Sequence, residues 1–206
     1  MANTFAPVGF RDTMLYGGSS PNYAVASTTI AYNYGTKIGF GDPVKQSSGT
    51  IVVMPAGDSN TIWGIFLGCY YYDPSIQMVT WRNNWPAPSN LSSTTIVKAM
   101  VVVDRNFEFM VQVNGGPATT SNIGSNFDIT TSSSGAPASN GLSTCSCSGT
   151  FAGTTTLPFT MTGIVPSGAF TNFGNLQAGV PATYDSTQAN NWITCVMNKK
   201  SGVGVF

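Results

Sequence analysis

The stretch "VVVDRNFEFMVQV", residues 101–113, reads as two apolar strands separated by a small cluster of charge. Asp104, Arg105 and Glu108 fall within it, in a chain that has only 8 Lys+Arg and 8 Asp+Glu. In its second half Phe107, Phe109, Val111 and Val113 alternate with Glu108, Met110 and Gln112. A strand turns successive side chains to opposite faces, so the first set faces a core and the second faces away from it. Asp104-Arg105-Asn106 has the short polar chemistry of a tight connection. The charges therefore mark a turn and an outward face. A catalytic carboxylate pair would need a cleft and supporting partners that nothing in this stretch supplies.

The rest of the composition points the same way. Glu108 is the only glutamate and there are six leucines, so good helix formers are scarce. Val, Ile, Thr, Tyr and Phe are plentiful, and 23 Gly and 12 Pro punctuate them. That is an all-β composition. Positive and negative charges cancel at 8 each, which leaves no net field for nucleic acid or an anionic membrane. With only 8% charged residues the surface must be built from Ser, Thr, Asn, Gln and Gly. Such a surface is short of the charge repulsion that keeps proteins apart, so packing against other subunits is tolerated or intended.

Strand-like runs follow one another along the chain: "TTIAYNYG", "TKIGFGDPV", "GTIVVMPA", "NTIWGIFLGCYYYDP", "IQMVTWRNNWPAPSN" and "TTIVKAMVVV". The run at 60–74 is apolar on both faces, which marks a central strand, with Gly64 and Gly68 permitting bends. Residues 1–35 scatter Phe5, Phe10, Leu15 and Tyr16 among Gly, Pro and Ser without a clean period. They read either as an extended arm lying on another subunit or as a segment packed on its own domain. Residues 36–206 read as a single β domain with a long polar insertion at about 114–156. Within that insertion "NIGSNFDI" and "GLSTCS" could each form a short strand, and "LPFTMTGIVPSG" and "NWITCVMNKK" then restore strand character. The expected architecture is a barrel or jelly-roll-like sandwich with an extended N-terminal arm.

The chemistry-bearing residues are sparse. Cys69, Cys145, Cys147 and Cys195 lack paired C-x-x-C spacing, and the chain has no histidine, so no metal site and no cofactor are expected. Cys69 and Cys195 lie in apolar runs and read as small buried residues. No basic region followed by an apolar one opens the chain, and no stretch approaches 18 apolar residues, so neither a signal peptide nor a membrane span is expected. Tyr70, Tyr71, Tyr72, Trp81 and Trp85 could stack on sugar rings, but they read first as core and interface area. Arg82 in "WRNNWP" has no basic groove around it for nucleic acid.

Several short motifs also carry a resemblance. The valine-rich strand, "VDRN" and "FEFMVQV" resemble a tailed-phage head-protein pattern, roughly V-x-D-D-P-x-x-x-F-E-V-Q. In the same order come "FAPVGF" at 5–10, "GFGDPV" at 39–44, "IWGIFLGCYYYDP" at 62–74, "NNWPA" at 83–87, "NIGSNFDI" at 122–129, "GLSTCS" at 141–146 and "NWITCVMN" at 191–198. Together they cover most of the chain and resemble capsid decoration (cement) proteins of marine and related tailed phages. The chain departs from that pattern at Arg105-Asn106, where the relatives carry Asp-Pro, and at "MNKK", which lacks their N-x-H ending.

The resemblance implies a non-enzymatic β protein, a homotrimer, that is made in the host cytoplasm and sits on the outer capsid surface over the major capsid protein. No direct nucleic-acid or membrane partner is expected. The candidate capsid or subunit interface comprises Phe5, Phe10, Arg11, Trp81 and Trp85, with the arm free to add backbone pairing to a neighbour's sheet edge. The alternative is a phage tail or fibre component, or a lectin-like carbohydrate-binding module.

Overall fold

A computed structural model describes residues 5–15, 25–58, 62–130, 140–154, 156–165 and 187–198. In chain order its strands are β1 (Arg11–Leu15), β2 (Val25–Ile30), β3 (Pro43–Ser47), β4 (Thr50–Val53), β5 (Gly64–Asp73) and β6 (Met78–Arg82). They continue with β7 (Val97–Val102), β8 (Phe107–Gln112), β9 (Asn126–Ile129), β10 (Cys147–Ala152), β11 (Phe159–Ile164) and β12 (Trp192–Met197). A single 3-10 turn at Thr120–Asn122 is the one helical element among the described residues.

The strands form two six-stranded antiparallel sheets. The first runs β1-β8-β12-β11-β9-β10, and the second runs β2-β7-β5-β3-β4 with β6 also paired to β5. The sheets are not closed on each other, so of the expected alternatives the protein is the sandwich and not the barrel.

The opening stretch is the hinge between the layers. β7 lies in the second sheet and β8 in the first, so Asp104-Arg105-Asn106 is an arch between sheets and does not close a hairpin. Asp104 shapes it: its carboxylate accepts the Asn106 N–H at 2.9 Å and its carbonyl accepts the Phe107 N–H at 3.3 Å. Arg105 donates to the Asn198 carbonyl at 3.2 Å, which anchors the arch to the end of β12.

Beyond the arch, Phe107, Phe109, Val111 and Val113 are buried between the sheets as the alternation predicts. Glu108 and Met110 lie on the half-exposed outer face, where Glu108 accepts a hydrogen bond from Thr162. Gln112 departs from the pattern and is buried. Its amide accepts from the Ala6 N–H at 2.9 Å and donates to the Asn190 carbonyl at 3.1 Å, so neighbouring backbone replaces water.

Two apolar cores result, one on each face of the second sheet. Between the sheets Phe10, Phe159 and Phe127 form a ladder, with ring centroids 4.3 and 5.5 Å apart along it. On the other face Ile30, Val44, Ile51, Phe66, Cys69, Tyr71, Val97, Ala99 and Val101 are covered by Ile38 and Trp85, which bridge to each other from two loops. β5 serves both cores, which is why it is apolar throughout: Ile65 and Leu67 face the first sheet, while Phe66 faces the other way. A bulge between Phe66 and Gly68 then shifts the alternation by one residue, so that Cys69 and Tyr71 join Phe66 on its side.

In its described part the N-terminal segment follows the second of its two readings and packs on its own domain, and the polar stretch contributes strands to the sheets. In its described part, residues 1–35 form no free arm: β1 pairs with β8 at one edge of the first sheet and β2 with β7 at one edge of the second. Residues 16–24 lie outside the described part, as do Lys199 and Lys200. The polar stretch is no excursion either, because it supplies two strands of the first sheet. "NIGSNFDI" contains β9 as expected, whereas in "GLSTCS" Leu142 makes a single bridge to Phe40 and β10 starts just beyond, at Cys147. Phe127, Ile129 and Cys147 from these strands are buried in the inter-sheet core, so a few apolar side chains suffice to integrate a mainly polar sequence.

Candidate interaction surface

The residues singled out from sequence separate into two groups. Phe10 is 1% exposed and stacked on Phe159, and Trp85 is 0% exposed, with its indole N–H donating to the Tyr34 carbonyl at 2.9 Å. Both side chains are consumed by the chain's own cores and present nothing to a partner. Phe10 is drawn inward by its neighbours: its N–H donates to the Gly41 carbonyl at 2.9 Å, and Gly9 approaches Ser143 so closely that any Cβ there would collide with it. Asp42, fully buried, ties this corner by accepting from the Gly39 N–H at 2.6 Å and the Ser143 hydroxyl at 2.5 Å.

Arg11 lies half-buried with its guanidinium 4.7 Å above the Phe40 ring, and burial lowers its pKa against the opposing pull of Asp12. Phe5 and Trp81 are exposed. Phe5 precedes β1 of the first sheet, and Trp81 lies on β6 of the second, where it belongs to an apolar cluster.

That cluster is the β5–β6 hairpin. The pairing of β5 with β7 ends at Tyr70, and the hairpin continues as a two-stranded ribbon. Its register sets Tyr70 opposite Trp81 and Tyr72 opposite Val79, so these four share one face. Lys98 stands opposite Tyr70 on β7, and Val102, four residues further along β7, points into the inter-sheet core. Even spacing along β7 therefore makes the aromatic face a continuation of the inter-sheet face. Tyr72, Ile76, Met78, Val79 and Trp81 are all about half exposed or more, with Val79 at 68%. The Tyr70 and Trp81 rings are 5.8 Å apart, and the Tyr70 hydroxyl contacts the Met100 sulfur at 3.8 Å.

The ribbon is held in shape by its polar residues. Asp73 accepts from the Ser75 N–H at 2.9 Å and receives Arg82 at 3.2 Å across the strands. The Ser75 backbone hydrogen bond first, and Arg82 with it, keeps the Asp73 carboxyl below its ordinary pKa, while the bond to Asp73 raises that of Arg82. Burial raises the Tyr71 hydroxyl pKa. An apolar surface on a pre-shaped ribbon loses little conformational freedom when it binds.

All four cysteines are buried free thiols. Burial pushes Cys69 and Cys147 up to about 12 and raises Cys145 and Cys195 well above their ordinary value, which disfavours the reactive thiolate. Among the described residues no three His, Cys, Asp or Glu side chains gather as a metal site would require, and no helix is long and apolar enough to cross a membrane.

The tyrosine triplet lies near the turn end of β5, paired to β6. Sequence reasoning passed over Ile76, Met78 and Val79. "IQMVTWR" alternates, but with apolar residues on both faces, and that was the one available signal of a strand not covered on either side. The fold and surface together define a class: an all-β sandwich carrying an exposed aromatic ribbon. No protein-family model, curated protein or solved structure matches the chain.

Proposed function

We propose that this chain is a structural virion protein, a capsid decoration protein that binds the outer surface of the major capsid lattice as a homotrimer and stabilises the mature phage head. The observation that carries the reading is the β5–β6 ribbon, where exposed Tyr72, Val79 and Trp81 share one face and Ile76 and Met78 are exposed on the same hairpin, on a chain of low charge. Contiguous apolar patches on otherwise polar proteins mark interaction sites. Trp and Tyr are the side chains that most often dominate interface energies. The ordered series of head-protein motifs supports a capsid as the partner, and a repeated lattice multiplies a modest contact by avidity. The role needs contact area and no reactive group, and the protein is made in the host cytoplasm before display on the virion.

A second reading, a lectin-like module or tail component, is favoured by the Tyr70, Tyr72 and Trp81 rings lying together on one open sheet face. Aromatic faces stack on sugar rings.

One experiment separates the two. Purified protein is mixed with empty phage heads and, in parallel, with a glycan array, as wild type and as Val79→Asp/Trp81→Ala. Decoration of heads by the wild type, reduced at least tenfold in the double variant with no glycan signal in either, supports the capsid reading. A glycan signal lost in the variant, with no head binding, moves the assignment to the second reading.

A further inference from the structure

The ribbon has an open edge as well as an open face, and the edge is a separate feature. An unpaired sheet edge presents a row of backbone donors and acceptors that proteins ordinarily blunt with a bulge, a proline, a charge or a cover. The other edges here show such devices. β1 carries a register shift between Asp12 and Met14, and β10 carries one between Cys147 and Phe151, with Gly149 at φ +71° inside it. The β2 and β4 edges of the second sheet approach one another, with the Thr29 hydroxyl 3.4 Å from the Gly49 carbonyl. β6 has none of these: "MVTWR" contains no proline or glycine, its pairing to β5 is unbroken from Met78 to Arg82, and its one charge is held by Asp73. Among the described residues its outer edge pairs with no strand.

We infer that the outer edge of β6 pairs antiparallel with β6 of a second copy of this chain, around a two-fold axis at Thr80. The sequence of the strand is what selects this occupant. In that register Val79 faces the partner's Trp81, Thr80 faces the partner's Thr80, and Met78 faces the partner's Arg82. Aromatic–β-branched and Thr–Thr pairs are among the cross-strand combinations that stabilise a sheet, and no like charges meet. The two copies of Arg82 stand roughly 13 Å apart along the strand direction, from a rise of about 3.3 Å per residue. Each remains paired with its own Asp73.

Pairing also merges two aromatic faces into one continuous surface of twice the width, since Val79 and Trp81 of both copies point the same way. The contact joins copies in pairs whether the joined unit is a single chain or a trimer built through other surfaces. It is made along the backbone edge, with Val79 and Trp81 packing across it, and its test reads pairing of copies and not what the aromatic face binds.

The test is specific to the register. Thr80→Cys and Met78→Cys are oxidised with oxidised glutathione, which takes up the two hydrogens as the new S–S bond forms. The native thiols do not interfere, because all four are buried. At the axis, facing Cα atoms lie about 4.5–5.5 Å apart, within disulfide range, whereas paired copies of position 78 are separated by roughly 13 Å. Thr80→Cys is expected to run as a covalent dimer on a denaturing gel and Met78→Cys as a monomer. Equal yields, or no dimer from Thr80→Cys, overturn the inference.

A second arm measures mass by sedimentation. Thr80→Lys and Thr80→Asp are each expected to halve the particle mass of the wild type, and mixing the two to restore it. Circular dichroism checks that each variant is folded. Unchanged mass in the folded single variants also overturns the inference.

Discussion

The two halves of β5 lie on one strand and have opposite fates. From Gly64 to Cys69 it pairs with β7 on one side and, at Gly64 and Ile65, with β3 on the other, and both faces are covered, one by the first sheet and one by the loops carrying Ile38 and Trp85. From Tyr70 to Asp73 its outer pairing is with β6, Tyr71 stays buried against Trp85, and Tyr72 points into solvent. Hydrophobicity hardly changes along the strand; the number of covering layers does. Apolar side chains in the inner half hold the fold together, and those in the outer half are left for something else to cover. Gly68 marks the boundary: its φ of +153° and its closeness to Trp81 and the Arg82 carbonyl leave no room for a Cβ where the bulge turns the alternation over.

The contrast can be broken most forcefully from the inside. Phe159→Ala removes the middle ring of the Phe10–Phe159–Phe127 ladder and is expected to cost about 3–5 kcal/mol, lowering Tm by roughly 10 °C or more in a chain of this size. Calorimetry reads it. A loss below about 1 kcal/mol would show that the inter-sheet core is not what separates the two regions.

A medium effect comes from pH. The four thiols titrate higher in the folded protein than in the unfolded chain, so the folded state holds its protons longer. Their contribution to stability is fully present below the ordinary thiol value of 9.0 and is lost as pH rises toward about 12. Denaturant midpoints measured from pH 8 upward should therefore fall progressively, and Cys69→Ala should remove part of that slope. A flat profile would mean that the thiols are not held away from water. The smallest effect belongs to the ribbon: Trp81→Ala should change stability by no more than about 0.5 kcal/mol, because the side chain is already half exposed. A large loss of stability would make Trp81 part of the fold and remove it from the binding surface.

Much of the architecture was legible in order and type. The alternation of Phe107 to Val113, the double-faced apolar run of β5 and the punctuating glycines identify strands, because period-two burial is a local property. The arch was legible as a tight connection but not which sheets it joins: a short Asx-type connection looks the same whether its two strands pair in one sheet or part into two. The polar stretch 114–156 was misread as to role, because its strands need few apolar residues when neighbours supply the rest of the core. The candidate interface was half legible. Trp81 and Phe5 are exposed as an interface requires, whereas Phe10 and Trp85 have the same chemistry and are buried.

By itself the sequence determined that this chain is β throughout, where most strands lie, and that Cys69 and Cys195 sit in apolar runs. Those properties follow from composition and near-neighbour periodicity. Only the tertiary structure decided which aromatic residues are core and which are surface, and that β6 ends a sheet with its edge open among the described residues. Burial depends on what packs from far along the chain. For Trp85 that cover comes from Tyr34 and Ile38, and for Trp81 among the described residues its Tyr70 neighbour leaves the side chain half exposed.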